Sequence, residues 1–451
     1  MIREKAFYRT FFALALSLAL QNLLTYSVNL MDTLMLARYS QDAMSGVSLC
    51  NQIQFLLQML VEGGGEGVVI LGAQYWGKNR LEPVPHIIGA ALRVTLLMTL
   101  ILFALVSFAP DTLLSLLSND SAVIAQGAQY FRVIRWSYLI FTLTRVLVAS
   151  LRSIGTVRIG QVVSFSTLCL NVSLNYLLIY GNGGFPEMGV TGAAVATLVS
   201  RCVELLIVVW YLSFRERRLT LTWRKLVYID TSYLRDFLRV ASPGMLNQGL
   251  WGIAQMAQTG ILGHLGGDVT AANAITVQVY QVLSVIAYGS ASASGIVVGK
   301  TVGEGRMDAL RPLVRTLETL FTLIGVCSGL LIFALRAPVL YLFGRSLTPY
   351  ARTLSLQFMA VIALTTVGTS YQMACDVGII RGGGDTSFSA KMNLISMWLI
   401  VIPISALAAF RWNLPPAAVF FFLKWDQLYK IIPVSIRLHS WKWPRRVTRE
   451  L

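Results

Sequence analysis

Apolar residues run along the chain in long blocks, broken by short stretches of Pro, Gly and charge, and inside a block they do not alternate with polar ones. A helix needs about 20 largely apolar residues to cross a bilayer. Twelve blocks reach that scale, centred on 11–36, 45–72, 87–109, 124–149, 160–180, 189–213, 237–263, 270–298, 313–335, 351–378, 388–410 and 413–436. Breakers mark the junctions: Pro83 and Pro85, Pro110, Gly155, Gly181 to Pro186, Pro349, and Gly382 to Gly384. Barrel strands would be half as long and would alternate apolar with polar, so each block is predicted to be a helix. The first block follows Arg3, Lys5 and Arg9 and is too long for a signal-peptide core. It is expected to remain as a span.

Composition turns this pattern into a class. Apolar residues make up 55% of the 451 and charged residues 13%, with mean hydropathy +0.65. A soluble domain carries about 25% charged residues, so this chain lacks the polar surface that water or disorder would require. The net charge is +16, from 37 basic and 21 acidic residues. On a soluble protein that would suggest nucleic acid. Membrane proteins keep Lys and Arg in cytoplasmic loops, so the basic total needs no nucleic-acid partner.

With the N-terminus and every second loop on one side, the loop Lys and Arg fall almost entirely there. Only Arg38, Arg336, Arg345 and Arg411 fall on the other. The positive-inside rule then places both termini in the cytoplasm. The expected location is an inner (cytoplasmic) or plasma membrane, spanned many times. The largest basic cluster, Arg215, Arg217, Arg218, Arg224, Lys225 and Arg235, sits in the central loop.

That loop divides an internal repeat. At an offset of 226, Asp42 meets Asp268, Gln52 meets Gln278, Gly63 meets Gly289, Gly77 meets Gly303, and Arg80 meets Arg306. At a slightly longer offset, Leu151-Arg152-Ser153-Ile154-Gly155 meets Ile380-Arg381-Gly382-Gly383-Gly384. Six spans return the chain to its starting side, so the halves are parallel repeats, an architecture of secondary transporters. The predicted fold is an all-α membrane protein with twelve transmembrane helices in two six-helix lobes. Residues 1–213 form the N-terminal lobe, 214–236 a basic cytoplasmic linker, and 237–451 the C-terminal lobe.

Little conventional chemistry stands out. The five cysteines, Cys50, Cys169, Cys202, Cys327 and Cys375, show no CxxC, and His86, His264 and His439 are scattered. Neither pattern implies a disulfide framework or a zinc site. Gly295, Gly299, Lys300 and Thr301 resemble a phosphate-binding loop, but that motif needs four residues between its glycines and a preceding strand. Here three residues intervene, in an apolar span. No ATP hydrolysis, enzyme activity or organic cofactor is expected. The spacings Gly63/Gly67 and Gly295/Gly299 read as places where spans approach closely.

Polar groups inside the spans carry more information, because each carboxylate in hydrocarbon costs at least about 2.5–3.5 kcal/mol on insertion scales. The first half holds Asp32 in span 1, Glu62 and Glu66 in span 2, Asn171 and Asn175 one turn apart in span 5, and Thr197 in span 6. Span 7 has no acidic residue. The second half instead holds Asn247, Gln248, Gln255, Gln258, Asn273, Gln278, Gln281 and Gln357. So many amides suggest a hydrated substrate cleft, for which Glu62, Glu66, Asn247, Gln248, Gln255, Asn273, Gln278 and Gln281 are candidates. Arg201 and Glu204 read as a structural ion pair. Asp32, the only acid of span 1, must be neutralised or paired at that depth. A proton or a bound cation would do this.

Several ordered stretches resemble the multidrug and toxic compound extrusion (MATE) family over nearly the whole chain. They are Asp32-Thr33-Leu34-Met35, Ala73-Gln74-Tyr75-Trp76-Gly77-Lys78, Leu151 to Gly155, Leu170-Asn171 through Gly181, Pro186 with Gly189 to Thr197, Ala271-Ala272-Asn273-Ala274-Ile275, Ile380 to Thr386, and Trp398 to Pro403. The resemblance implies a Na⁺- or H⁺-coupled antiporter in which two lobes enclose a cleft and cation entry drives export of small amphipathic, cationic compounds. It also implies a cation site at Asp32, Asn171, Asn175 and Thr197, with no other metal. Some members carry Asp at the position of Asn175, and other branches carry a Glu in span 7. Partners are a small-molecule substrate and the lipid bilayer, and a monomer is expected. A flippase for a lipid-linked precursor, using Arg132, Arg135 and Arg145 of span 4, is the alternative within the broader superfamily. A channel or scaffold is the alternative outside it.

Overall fold

The computed structural model describes residues 2, 4–116, 120–219, 221, 225–226, 230–343 and 348–448. Arg3, Arg224 and Arg345 and parts of the linker therefore lie outside the described residues. Within them the chain is helical and contains no strand. The helices are α1 (Lys5–Tyr39), α2 (Gln41–Gly77), α3 (Val84–Phe108), α4 (Pro110–Ser115), α5 (Ser121–Ser153), α6 (Arg158–Tyr180), α7 (Gly189–Phe214), α8 (Thr231–Gly263), α9 (Gly267–Gly303), α10 (Met307–Phe343), α11 (Pro349–Met373), α12 (Thr386–Leu394), α13 (Ile402–Phe410), α14 (Pro416–Lys424), α15 (Asp426–Tyr429) and α16 (Ile431–His439).

Among the described residues ten helices are long and apolar enough to cross a membrane. They coincide with ten of the predicted blocks. The block 237–263 lies within the 33-residue α8. The block 413–436 departs from a single regular helix, because the hydrogen-bond ladder is interrupted between α14, α15 and α16 at Trp425 and Lys430. Pro433 contributes to the second interruption, since it has no N–H to offer the carbonyl of Tyr429.

The local signals act as their chemistry requires. Asp120 caps α5, its carboxylate accepting from the N–H groups of Ala122 at 2.9 Å and Val123 at 3.4 Å. Thr348 caps α11 and Pro349 opens it. Gly181 ends α6 with φ +68°, the left-handed geometry that favours glycine.

Two predicted spans contain wider turns. α11 continues into π-helical turns at Ala374–Arg381, and α12 and α13 are joined by π-helical turns at Ile395–Val401. The second set precedes Pro403, whose ring displaces the carbonyl four residues earlier.

Packing divides the chain into two compact units, residues 20–75 with 80–248, and residues 1–19 with 76–79 and 249–451. The divisions fall inside α1, near the end of α2 with the loop after it, and inside α8. The first unit is built around a core that includes Leu57, Phe131, Tyr138 and Ile179. The second unit's core includes Phe358 stacked on Phe420, with ring centroids 4.2 Å apart.

The repeat is visible in how each unit is packed. In the first, α8 lies so close to α2 that a Cβ at Gly63 would stand 2.6 Å from Met245 Cα, and one at Gly67 would stand 2.5 Å from Ala241 Cβ. In the second, α1 lies so close to α9 that a Cβ at Gly289 would meet the carbonyl of Ala15 and stand 2.8 Å from the nitrogen of Ala19. Gly289, Ala241 and Met245 are Gly63, Ala15 and Ala19 advanced by 226 positions. The same contact is thus made twice, by small residues that let membrane helices approach. Gly295 is used likewise, packing on the π-helical turns after α11, where a Cβ at Gly382 would stand 2.8 Å from its Cα.

Candidate functional site

α6 carries Asn171 and Asn175 one turn apart, so both amides project from one face. That face meets Asp32 on the second part of α1 and Thr197 on α7. Asn175 Nδ2 donates to Asp32 Oδ1 at 2.5 Å and to Asn171 Oδ1 at 3.2 Å. Asn171 Nδ2 donates to Thr197 Oγ1 at 3.3 Å. Both asparagines are fully buried and Thr197 nearly so. All four residues belong to one compact unit.

One atom of this set is left over. Asn175 Oδ1 is buried and accepts no hydrogen bond among the described residues. An unsatisfied buried acceptor costs about 1–3 kcal/mol, so its retention beside a carboxylate calls for a donor or a cation. The donor types fit a hard cation, which prefers carboxylate and carbonyl oxygen. They equally fit a proton on Asp32 shared with an amide oxygen.

Two further residues surround the set. Tyr130 on α5 is buried and lies within interaction reach of Thr197 and Asp32. Nothing in its sequence context, an apolar block, marked it out. Arg201 on α7 pairs with Glu204 at 2.7 Å, as its i, i+3 spacing predicts, and lies over the ring of Phe141. It also acts electrostatically on Asp32. A pair that reads as purely structural therefore places a guanidinium near the Asp32 carboxylate.

The substrate-cleft candidates are divided between the two units. Glu62, Glu66, Asn247 and Gln248 belong to the first unit, and Gln255, Asn273, Gln278 and Gln281 to the second. Glu62 lies 3.5 Å from Arg145. Arg152 is within electrostatic reach of Glu62 and Glu66. Gln278 and Gln281 are exposed on α9, while Asn247, Gln248, Gln255 and Asn273 are half-buried. Arg145 is engaged by Glu62 and the Phe141 ring, and Arg135 lies over Phe103 and Trp136. Asp376, in the π-helical turns after α11, accepts from Ser389 and from Asn393 at 3.1 Å and faces Arg381 at 3.9 Å. Among the described residues no three His, Cys, Asp or Glu side chains converge on a point.

Repeated apolar spans, paired small-residue contacts and a buried polar set define a multi-pass integral membrane protein of helical transporter architecture. The family model MatE matches residues 17–177 and again 243–407. The matches begin 226 positions apart, the offset of the repeat. The chain belongs to the MatE family. Among relatives, the probable multidrug resistance protein NorM of Thermotoga maritima is 28% identical, over 97% of this chain and 94% of its own. The multidrug resistance protein MdtK of Edwardsiella ictaluri is 24% identical, over 91% and 89%. An outward-facing structure of a multidrug resistance MATE family transporter shares the fold, with TM-score 0.84 over 96% of each chain at 20% identity.

Proposed function

We propose that the protein is a cation-coupled antiporter, not an enzyme, that exports small amphipathic organic compounds, cationic ones among them, by alternating access. Relatives named for multidrug resistance support the substrate class. The observation that carries the coupling is the buried quartet of Asp32, Asn171, Asn175 and Thr197 with its unpartnered Asn175 oxygen. In this reading Na⁺ or H⁺ binds at Asp32 from outside as substrate is released there, and leaves to the cytoplasm as the next substrate binds. The amides orient the carboxylate, and Arg201 lowers the cost of its ionised state between ions. The bias of Lys and Arg supports cytoplasmic termini in an inner or plasma membrane.

The test is ion-driven dye transport in proteoliposomes, with Na⁺ and H⁺ gradients imposed separately. One-for-one exchange at zero potential sustains about a tenfold substrate gradient per tenfold ion gradient, each worth about 1.4 kcal/mol. Asp32→Asn keeps the shape and removes the charge. It is expected to bind dye and accumulate none against a gradient. Normal accumulation by well-expressed Asp32→Asn would refute the assignment.

A further inference from the structure

α7 carries a carboxylate on the face that bears Thr197. Thr197, Arg201 and Glu204 are spaced i, i+4 and i+7, so they share one side of the helix. Thr197 and Glu204 are buried and Arg201 is half-buried. Arg201 Nη1 donates to Glu204 Oε2 at 2.7 Å, and the same guanidinium acts electrostatically on Asp32. One turn away, Thr197 is joined to Asp32 through Asn171 and Asn175. Tyr130 of α5 lies within electrostatic reach of both Asp32 and Arg201. Arg201 therefore has two carboxylates to choose between.

The neighbouring charges are already matched. The guanidinium carbons of Arg145 and Arg201 each lie 5.0 Å from the centroid of the buried Phe141 ring. Arg145 faces Glu62 at 3.5 Å, and Arg152 is within electrostatic reach of Glu62 and Glu66. Two arginines thus answer the two acids of α2, and Arg201 is left to answer both Asp32 and Glu204. This linked group has one carboxylate more than it has arginines, which matches one monovalent cation. Where Arg201 rests decides which carboxylate is left open. Held by Glu204 and the Phe141 ring, it leaves Asp32 to the cation. Turned to Asp32, it would take the cation's electrostatic place, and because a guanidinium stays charged no change of pH would remove it.

We propose that Glu204 is a positioning residue for the cation site: it holds Arg201 back from Asp32 and so keeps the Asp32 carboxylate available to the coupling cation. This rests on the reading of Asp32 as the coupling residue and deepens it, by naming the group that keeps the protein's own cation out of that place.

The test reads cation binding at equilibrium, without substrate or gradient. The melting temperature of the purified full-length protein in nanodiscs is followed against the concentration of Na⁺ or H⁺, whichever drives dye transport, because a ligand that binds only the folded state stabilises it. Wild type is expected to show a saturable rise that Asp32→Asn abolishes. Glu204→Gln should raise the half-saturating concentration at least about tenfold, the scale of one hydrogen bond to a charged group. Adding Arg201→Met to Glu204→Gln should bring it back to the wild-type value or below. A pair that only ties helices together predicts the opposite order, with the double variant binding no better than Glu204→Gln. The double variant removes both partners of the pair, which proteins tolerate better than the loss of one, so it decides the question if Glu204→Gln does not fold. An unchanged half-saturating concentration in Glu204→Gln, or a double variant that binds the cation more weakly than wild type, would overturn the proposal. A wild type without any rise, or a rise that persists in Asp32→Asn, refutes the coupling reading itself, and the proposal falls with it.

Discussion

Alanine at Gly63 and at Gly289 perturbs the two contacts that the repeat imposes. At Gly63 the new Cβ would stand 2.6 Å from Met245 Cα and 2.9 Å from Met245 N. At Gly289 it would meet the Ala15 carbonyl and stand 2.8 Å from Ala19 N. Carbon atoms rest at about 3.5–4.0 Å, so α8 or α1 must retreat by about 1 Å. The obstacles are main-chain atoms, which cannot rotate away. Overpacking of this kind costs about 1–3 kcal/mol, against a gain of about 0.5–1 kcal/mol for replacing glycine within a helix. Each variant should therefore lose about 1–2 kcal/mol net. Gly260→Ala is the control: it lies in α8 with nothing within 4 Å of its new Cβ, so it should gain about 0.5–1 kcal/mol. Denaturant unfolding of the purified protein measures all three. If Gly63→Ala and Gly289→Ala are as stable as Gly260→Ala, the close approaches are wrong. If only one of the pair is destabilised, the duplicated contact is refuted.

Two further predictions concern the loops. Burial alone would raise the pKa of Glu216, but hydrogen bonds from Arg218 outweigh it and hold the carboxyl below its ordinary value. A depressed folded-state pKa contributes stability at pH above the ordinary value that is lost as pH falls through the folded-state one. Glu216→Gln should therefore melt below wild type at pH 7, and the two should converge as the solution is acidified. A constant gap across pH would contradict this. Topology is tested by labelling engineered cysteines after the native ones are replaced, since Cys169 and Cys327 are exposed. External reagent should reach sites in 110–122 and 264–270, while sites in 214–235 stay protected in intact cells. The reverse pattern would overturn the assigned orientation.

Much of the fold was legible without coordinates, because the bilayer leaves the backbone few choices. Ten blocks long enough to span became helices, since unsatisfied peptide groups are intolerable in hydrocarbon. The 226-residue offset was equally legible, as identical residues at Asp42, Gln52, Gly63, Gly77 and Arg80 and their mates. Asn171 and Asn175 could be placed on one face from their spacing alone. What the spacing could not supply was the partner of each face. That Asn175 meets Asp32, 143 residues away, depends on how α1 lies against α6. Tyr130 sits in an apolar block and looks like core until α5 brings it within interaction reach of Thr197 and Asp32. That Glu62 meets Arg145 likewise depends on how α2 lies against α5. Periodicity reports which residues share a face and how far the chain can reach. Which faces meet is decided by packing between distant segments, where a single small residue such as Gly63 or Gly289 sets how close two helices come.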